Sequence, residues 1–203
     1  MAEASSTGGG VAAEKAALRR RLLADRARLS PDQRAVAGRA LRDAVLELPQ
    51  VQMAGTIAAY YSLSSEPDTH GLVYALWKRG GYVLLPLLRP DADLDWASYE
   101  GPDSLIPGPR GLQEPKEKPR GPGAIARADV VLVPALAVDH AGNRLGRGGG
   151  SYDRALARVG PLIPLIALVY DEELVEHVPA EAHDIPVRAT VSPRGGLTLT
   201  GAS

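Results

Sequence analysis

The chain has 203 residues, a formal net charge of −1 and no cysteine. This length suits one domain with a full hydrophobic core, and the near-neutral charge excludes a global electrostatic attraction to nucleic acid or to an anionic membrane. The lack of cysteine excludes disulfides and thiolate chemistry, and with no membrane-length apolar run and no signal-peptide core we expect a cytoplasmic protein.

The N-terminal part of the sequence divides into a leader and a basic helix. Residues 1–13 are small and polar, and we expect a disordered leader. Residues 14–29 have a helical pattern of leucines and a basic face made of Lys15, Arg19, Arg20, Arg21, Arg26 and Arg28. Such a basic face is commonly exposed to solvent and binds no ligand. The alternative is that Lys15 and Arg19, one helical turn apart, reach a phosphate chain.

A second helix and a strand-to-helix turn follow. Ser30 and Gln33 form a capping box with proline at the first helical position, which predicts a helix that ends before Pro49. Residues 56–62 are typical of a buried strand, and a helix follows from about residue 69. Glu66 lies between them. It is either a carboxylate favoured by the helix dipole or a ligand contact, because ligands of α/β sheets bind beyond the carboxyl ends of strands.

Strands continue to alternate with helices along the rest of the chain. Residues 82–88, 130–138, 162–169 and 187–191 are typical of strands, 94–99 of an edge strand, and 171–177 of a helix. Trp96 is equally compatible with core packing and with a stacking platform for a flat ring. The alternation predicts one three-layer α/β/α domain with a largely parallel sheet over residues 14–193, followed by a tail over 194–203.

Two loops interrupt this alternation. Residues 101–123 are rich in proline and glycine and form a long loop. Residues 142–154 contain five glycines, three arginines and one aspartate. Glycines allow backbone N–H groups to converge on an anion, arginine suits phosphate oxygens, and Asp153 is placed to hold magnesium. We interpret this segment as a phosphate cradle; the alternative is a flexible surface loop. It matches neither a P-loop, since no lysine follows the glycines, nor a complete dinucleotide fingerprint.

These motifs together resemble the 5-formyltetrahydrofolate cyclo-ligase family over roughly residues 15–191. The most specific part is the run from Val133 to Arg154, which includes Asn143-Arg-Leu-Gly-Arg-Gly-Gly-Gly150. Weaker marks surround it: Lys15 with Leu18-Arg19, Tyr61-Ser62 with Glu66 and Thr69, Pro86, Gly111 to Pro115, and Pro179 to Asp184. The resemblance implies a ribose-phosphate-isomerase/CoA-transferase-like α/β fold.

The resemblance also implies an activity, the ATP- and magnesium-dependent closure of 5-formyltetrahydrofolate to 5,10-methenyltetrahydrofolate through a phosphorylated formyl group. It implies that ATP contacts Lys15, Arg19, Arg144, Leu145, Gly146, Arg147, Gly148, Gly149, Gly150, Ser151 and Tyr152. It implies that the folate contacts Tyr61, Glu66, Arg147, Gly148, Gly149, Gly150 and Ser151. Arg144, Arg147 and Tyr152 are then the catalytic residues, and Asp153 and Asp184 the magnesium ligands.

Two positions depart from the family pattern. Many members have a second tyrosine where this chain has Ser151, and many have glutamine in the segment that here contains Glu172 and Glu173. We expect a monomer that acts on a small folate, polyglutamylated or not, without nucleic-acid or membrane partners. A non-catalytic sensor of a phosphate ligand on the same fold is the alternative function. A nucleic-acid partner is disfavoured because the basic stretches lack interleaved aromatic residues.

Overall fold

The computed structural model describes residues 7–63 and 65–201. Its α-helices are α1 (Thr7–Arg28), α2 (Pro31–Leu46), α3 (Pro49–Gln52), α4 (His70–Lys78) and α5 (Ser151–Leu156). Its strands are β1 (Thr56–Ala58), β2 (Tyr82–Leu88), β3 (Leu94–Ser98), β4 (Leu105–Pro107), β5 (Gln113–Pro115), β6 (Val130–Pro134), β7 (Ala137–Val138), β8 (Arg144–Leu145), β9 (Leu165–Leu168), β10 (Ala189–Ser192) and β11 (Gly196–Leu199).

Seven strands form the central sheet in the order β11-β10-β9-β6-β1-β2-β3. The five inner strands pair in parallel, and both edge strands pair antiparallel to their neighbours. The predicted largely parallel sheet is therefore confirmed. The strand order reverses direction at β1, whose neighbours are β6 and β2. Such a point leaves a crevice beyond the carboxyl ends of the strands.

Successive residues of the inner strands face opposite layers, since side chains alternate across a sheet. Ile57 packs with helices α2 and α4 on one face, whereas Ala58 packs in a second cluster on the other face, with residues of α5. Both faces are covered, as the apolar composition of the strands requires. The three-layer α/β/α architecture is confirmed.

Helix α1 lies apart from these layers. Its Leu22 packs against Leu136, Leu145 and Val178, around the small ribbon that β7 and β8 form beyond β6. This contact places α1 across the carboxyl end of the sheet. The capping box of α2 is present as predicted, with Ser30 and Gln33 bonded reciprocally.

Both predicted terminal boundaries are wrong where the structure describes them. Residues 1–6 of the predicted leader lie outside the described residues, but residues 7–13 are helical, because alanines at 12, 13, 16 and 17 favour extension of α1 toward the N-terminus. The predicted tail contains β11, which pairs with β10. Pro193 and two glycines allow the reversal, and Gly196 has φ 60°, a conformation that favours glycine.

Smaller corrections concern single elements. The strand predicted over residues 56–62 ends at Ala58, and the helix predicted over residues 171–177 is only a 3₁₀ turn, Asp171–Glu173. Trp96 is fully buried, so it is a packing residue and the stacking-platform alternative is wrong. The loop over residues 101–123 contains the β4–β5 hairpin.

Among the residues that the structure describes, no helix combines the length and the apolar character that crossing a membrane requires.

Candidate functional site

A cavity of about 430 Å³ lies at the carboxyl end of the sheet, beneath α1. Its walls include residues that follow β1, residues at the end of β2 and residues at the end of β6, which are neighbouring strands. This is the crevice that the reversal of strand order creates. Its volume is in the range of small-molecule sites.

The glycine-rich segment forms one side of this cavity. Gly148 and Gly150 have φ values of 98° and 67°, which side chains rarely tolerate. A Cβ atom on Gly150 would lie 2.8 Å from Nη1 of Arg154, and one on Gly148 would lie 3.4 Å from Cζ of Arg19. The backbone conformation therefore favours glycine at both positions, whereas the nearby arginine side chains could move aside; such a conformation is common in a segment whose backbone lies against a ligand.

Arg144 anchors the two ends of this segment to each other. Its Nη2 donates to Oδ1 of Asp153 over 2.6 Å, and its side chain is buried. The Nε atom of Arg144 is also buried and has no hydrogen-bond partner among the described residues. Because buried donors are nearly always paired, this N–H is suited to a ligand oxygen in the cavity.

Arg147 reaches across the cavity to the residues that follow β1. Its Nε donates to Oε1 of Glu66 over 3.1 Å, and its Nη2 donates to Oγ of Ser65 over 2.9 Å. Glu66 is held in place by Leu63, whose backbone N–H donates to Oε2. The contact joins the predicted phosphate segment to the predicted folate segment.

Helix α1 contributes two cations from its buried face. Lys15 is 6% exposed, and its Nζ lies 2.7 Å from Oε2 of Glu181 and 2.6 Å from Oδ2 of Asp184. Burial acts to lower the pKa of Lys15, but the bonds to these two carboxylates outweigh it and raise the pKa. Arg19 donates from Nε to the carbonyl oxygen of Gly146 over 2.8 Å. These contacts, and the position of both residues in the cavity wall, are inconsistent with a purely solvated role for Lys15 and Arg19.

Two tyrosines supply aromatic walls. Tyr61 stacks on His70, with ring centroids 3.9 Å apart and an interplanar angle of 9°. Tyr152 follows the glycines, and its hydroxyl is buried without a partner among the described residues. Burial, and then the charge of Glu66, raise the pKa of Tyr152 well above its ordinary value, so it stays a neutral hydrogen-bond donor.

Ser151 lies next to Tyr152 but is directed differently. Its Oγ donates to the carbonyl oxygen of Ala92 over 2.6 Å, and Nη2 of Arg154 donates to the same oxygen over 2.6 Å. Ala92 has φ 61° in the turn between β2 and β3. Ser151 thus ties the start of α5 to this turn. A tyrosine at this position would lose that hydrogen bond and would present an aromatic ring instead.

Asp153 and Asp184 each have one carboxylate oxygen that makes no hydrogen bond among the described residues, and that of Asp184, Oδ1, lies 3.7 Å from Nε2 of His183. Oδ1 of Asp153 accepts from Arg144 and from the N–H of Ile185, and Oδ2 of Asp184 accepts from Lys15 and from the N–H of Glu181. No cluster of three or more potential metal-binding side chains exists among residues 7–63 and 65–201. Magnesium needs only one or two carboxylates when phosphates and water complete its shell, so these two aspartates fit it.

The residues that the resemblance assigned to ATP, folate, magnesium or catalysis all line this cavity. The structure adds others to its lining, of which the most informative are Arg26, Tyr60, Arg110, Leu112 and Glu181. Arg110 and Leu112 come from the 101–123 loop, whose length alone signals a functional role. Tyr60 and Arg26 carry no such signal, because a strand-end tyrosine and a helical arginine are common.

The model of the 5-formyltetrahydrofolate cyclo-ligase family matches residues 11–193. The chain is 42% identical to the 5-formyltetrahydrofolate cyclo-ligase of Mycolicibacterium smegmatis over 147 residues, covering 70% of this chain and 75% of the relative. It is 35% identical to that of Escherichia coli K12 over 172 residues, covering 81% and 92%. The solved structure of Aquifex aeolicus 5,10-methenyltetrahydrofolate synthetase superposes with a TM-score of 0.80 at 28% identity, covering 93% of this chain and 94% of that one.

Proposed function

The chain belongs to the 5-formyltetrahydrofolate cyclo-ligase family, and from this premise we propose that its cavity binds ATP and 5-formyltetrahydrofolate side by side and converts the folate to 5,10-methenyltetrahydrofolate. The protein is a ligase of folate one-carbon metabolism. We further propose that the protein acts as a monomer.

The contact between Arg147 and Glu66 carries this proposal. Phosphoryl transfer from a nucleotide to the folate requires the two substrates to meet at the reacting atoms. Arg147 belongs to the glycine-rich segment and Glu66 to the segment that follows β1. They are 81 residues apart in sequence, yet their side chains are hydrogen bonded over 3.1 Å. The phosphate side and the folate side of the cavity therefore adjoin, as a direct transfer requires.

The phosphate side has the cations and donors that a triphosphate needs. We assign the phosphates to Lys15, Arg19 and the backbone of residues 144–152, which face the cavity. Arg144 offers a buried Nε–H that has no partner in the described part of the chain, and the side chain of Arg147 is 44% exposed and free to leave Glu66 for a ligand. Preorganised donors of this kind stabilise the charge that spreads over a transferring phosphoryl group.

The proposed chemistry runs in two steps. The formyl oxygen on N5 attacks the γ-phosphorus of ATP, so that an O–P bond forms, the bond to the β-phosphate oxygen breaks and ADP leaves. N10 then attacks the activated formyl carbon, loses its proton, and the C–O bond breaks with release of phosphate. Phosphorylation is needed because an amide oxygen is a poor leaving group and phosphate is a good one.

Magnesium fits beside Asp153 and Asp184, where it would offset phosphate charge when bound. Lys15 lies 2.6 Å from Asp184, so the proposed metal ligand and the proposed phosphate contact adjoin. Arg144 fixes the orientation of Asp153 through its 2.6 Å bond.

The folate side is assigned to residues that follow β1 and to residues at the start of α5. Glu66 is suited to accept N–H groups of the pterin, Tyr61 offers a ring face backed by His70, and Tyr152 lies between the glycines and the sheet. The backbone of residues 147–151 adjoins both substrates in this arrangement. The hydrogen bond from Ser151 to Ala92 keeps the turn after β2 against the cavity wall.

The proposal is tested with purified protein, magnesium, ATP and 5-formyltetrahydrofolate, in both its monoglutamyl and polyglutamyl forms. We expect the near-ultraviolet absorbance of the methenyl product to appear together with one ADP per product, and to be absent when ATP is omitted. Tight binding of a phosphate ligand with no product and no ATP turnover would contradict catalysis and favour a phosphate-ligand sensor.

A further inference from the structure

Tyr60 lines the cavity, but the proposed function gives its side chain no role. It follows β1, is 4% exposed and contributes to the cavity wall. Its hydroxyl oxygen is buried and has no hydrogen-bond partner among residues 7–63 and 65–201. Buried hydroxyl groups in native proteins are nearly always paired, because the loss of water is otherwise uncompensated.

The surroundings of this hydroxyl decide what kind of atom it can bind. Burial raises the pKa of Tyr60 well above its ordinary value, the carboxylate of Glu66 raises it further, and the guanidinium of Arg26 acts in the opposite direction. The hydroxyl therefore keeps its proton and acts as a donor. The hydroxyl of Tyr152, which is also buried and has no partner within the described ranges, lies near enough to influence the same group.

The neighbouring carboxylate makes a neutral acceptor the better partner. Glu66 is paired with Arg147. Once that arginine turns to the nucleotide, as proposed above, a phosphate oxygen next to Glu66 would be repelled by a like charge, whereas a carbonyl oxygen would not. Arg26 does not offset this, because its charge is already matched by Glu173 in a buried ion pair. A donor hydroxyl beside an acceptor carboxylate is complementary to a molecule that presents a carbonyl oxygen next to an N–H group, as the pterin ring does.

We propose that Tyr60 is a specificity-determining residue of this cavity, and that its hydroxyl donates a hydrogen bond to a carbonyl oxygen of the bound folate. This inference rests on the proposed function and extends it to a residue outside the glycine-rich segment. The ring carbonyl and the formyl group are the two sources of such an oxygen. The affinities for 5-formyltetrahydrofolate and for tetrahydrofolate, which lacks the formyl group, distinguish these two sources.

The test replaces Tyr60 by phenylalanine, which removes the hydroxyl and retains the ring. The matched control is Tyr82→Phe: Tyr82 also has a buried hydroxyl without a partner among the described residues, but it is not part of the cavity wall. Affinity is measured by equilibrium titration with each folate, and the thermal midpoint is measured without ligand. We expect Y60F to bind 5-formyltetrahydrofolate about tenfold more weakly and Y82F to bind it like the wild type.

The two measurements separate a ligand contact from a structural role. Removal of an unpaired hydroxyl should leave the ligand-free midpoint unchanged or higher in both variants. Weaker binding of both folates by Y60F assigns the contact to the ring carbonyl, and weaker binding of only the formyl compound assigns it to the formyl oxygen. Unchanged affinity of Y60F, or a lower ligand-free midpoint, overturns the inference.

These outcomes remain distinct from failure of the proposed function. If the wild type forms product and Y60F binds the folate equally well, only the role of Tyr60 is wrong. If the wild type neither binds nor converts 5-formyltetrahydrofolate, the proposed function is wrong and the inference falls with it.

Discussion

Arg26 and Glu173 form a buried ion pair with two hydrogen bonds, of 2.6 Å from Nε and 2.9 Å from Nη2. Both side chains are almost fully buried, at 2% and 4% exposure. Nη2 also donates to the carbonyl oxygen of Ala135 at the end of β6, and the N–H of Tyr170 donates to Glu173. The pair thus links α1, the end of β6 and the segment after β9. It holds the helix that carries Lys15 and Arg19 against the cavity.

Loss of Glu173 should destabilise the protein strongly. Glu173→Ala leaves the charge of Arg26 buried without a counter-ion, which is expected to lower the free energy of unfolding by about 3–5 kcal/mol. Glu173→Gln should cost less, because its amide oxygen still accepts from Arg26. Urea denaturation measures both. Glu172→Ala is the matched control, since Glu172 pairs with Arg194 at the surface and should contribute less than about 1 kcal/mol; equal losses at both positions would contradict the role of the buried pair.

Arg147→Ala should lower turnover by about 10²-fold or more if the guanidinium stabilises the transferring phosphoryl group. The effect should fall on kcat, because a preorganised donor acts most strongly on the transition state. Arg42→Ala serves as the control, since Arg42 pairs with Asp43 on α2 and is not part of the cavity wall. A variant at position 147 with the turnover of the wild type would show that this arginine is only solvated.

Asp153→Asn should raise the magnesium concentration required for half-maximal activity several-fold. The asparagine oxygen can still accept from Arg144, so the fold of the segment is preserved while the charge that attracts the cation is lost. The measurement is a magnesium titration at saturating ATP and folate, with Asp43→Asn as an exposed control. A magnesium dependence equal to that of the wild type would refute the assignment.

The bond between Lys15 and Asp184 predicts a pH dependence of stability. Burial acts to raise the pKa of Asp184, but the hydrogen bond from Lys15 outweighs it and lowers the pKa below its ordinary value of 3.8. The stabilisation is therefore complete above that value and is lost as the pH falls through the lower pKa of the folded state. The pKa of Lys15 is raised above 10.5, so this contribution persists until the pH rises through the raised value.

Asp184→Asn tests this window. Unfolding by urea at neutral pH should show the variant to be less stable than the wild type, and the difference should shrink as the pH is lowered through the acidic range. A difference that stays constant with pH would mean that the pair does not titrate as its geometry indicates.

The glycine-rich segment was predictable because its information is local. Glycines at 146 and 148–150 and arginines at 144 and 147 lie within a few residues of one another, and the preceding strand places them at the carboxyl end of a sheet. The α/β alternation is similarly local, because burial of apolar side chains follows the period of the helix or strand. The predicted ends of strands were less accurate where the residues after a strand line the cavity. The residues after Ala58 are an example.

The buried face of α1 was not predictable in this way. Lys15, Arg19, Leu22 and Arg26 recur at helical spacing on one face, but three of the four are cations, and a cation stripe in a sequence indicates a solvated surface. Their burial requires acceptors that lie far away in the chain, Glu181 and Asp184 for Lys15 and Glu173 for Arg26. No local pattern identifies such partners.

The sequence by itself therefore determined the α/β class, the family and the segment of the chain that surrounds the cavity. Only the tertiary structure decided which charged groups are buried, that Tyr60 enters the cavity wall, and that the C-terminal segment adds an edge strand. The physical reason is that apolar burial is encoded in periodicity along the chain, whereas a charge or hydroxyl is buried only where the fold supplies its counter-ion or leaves a place for a ligand.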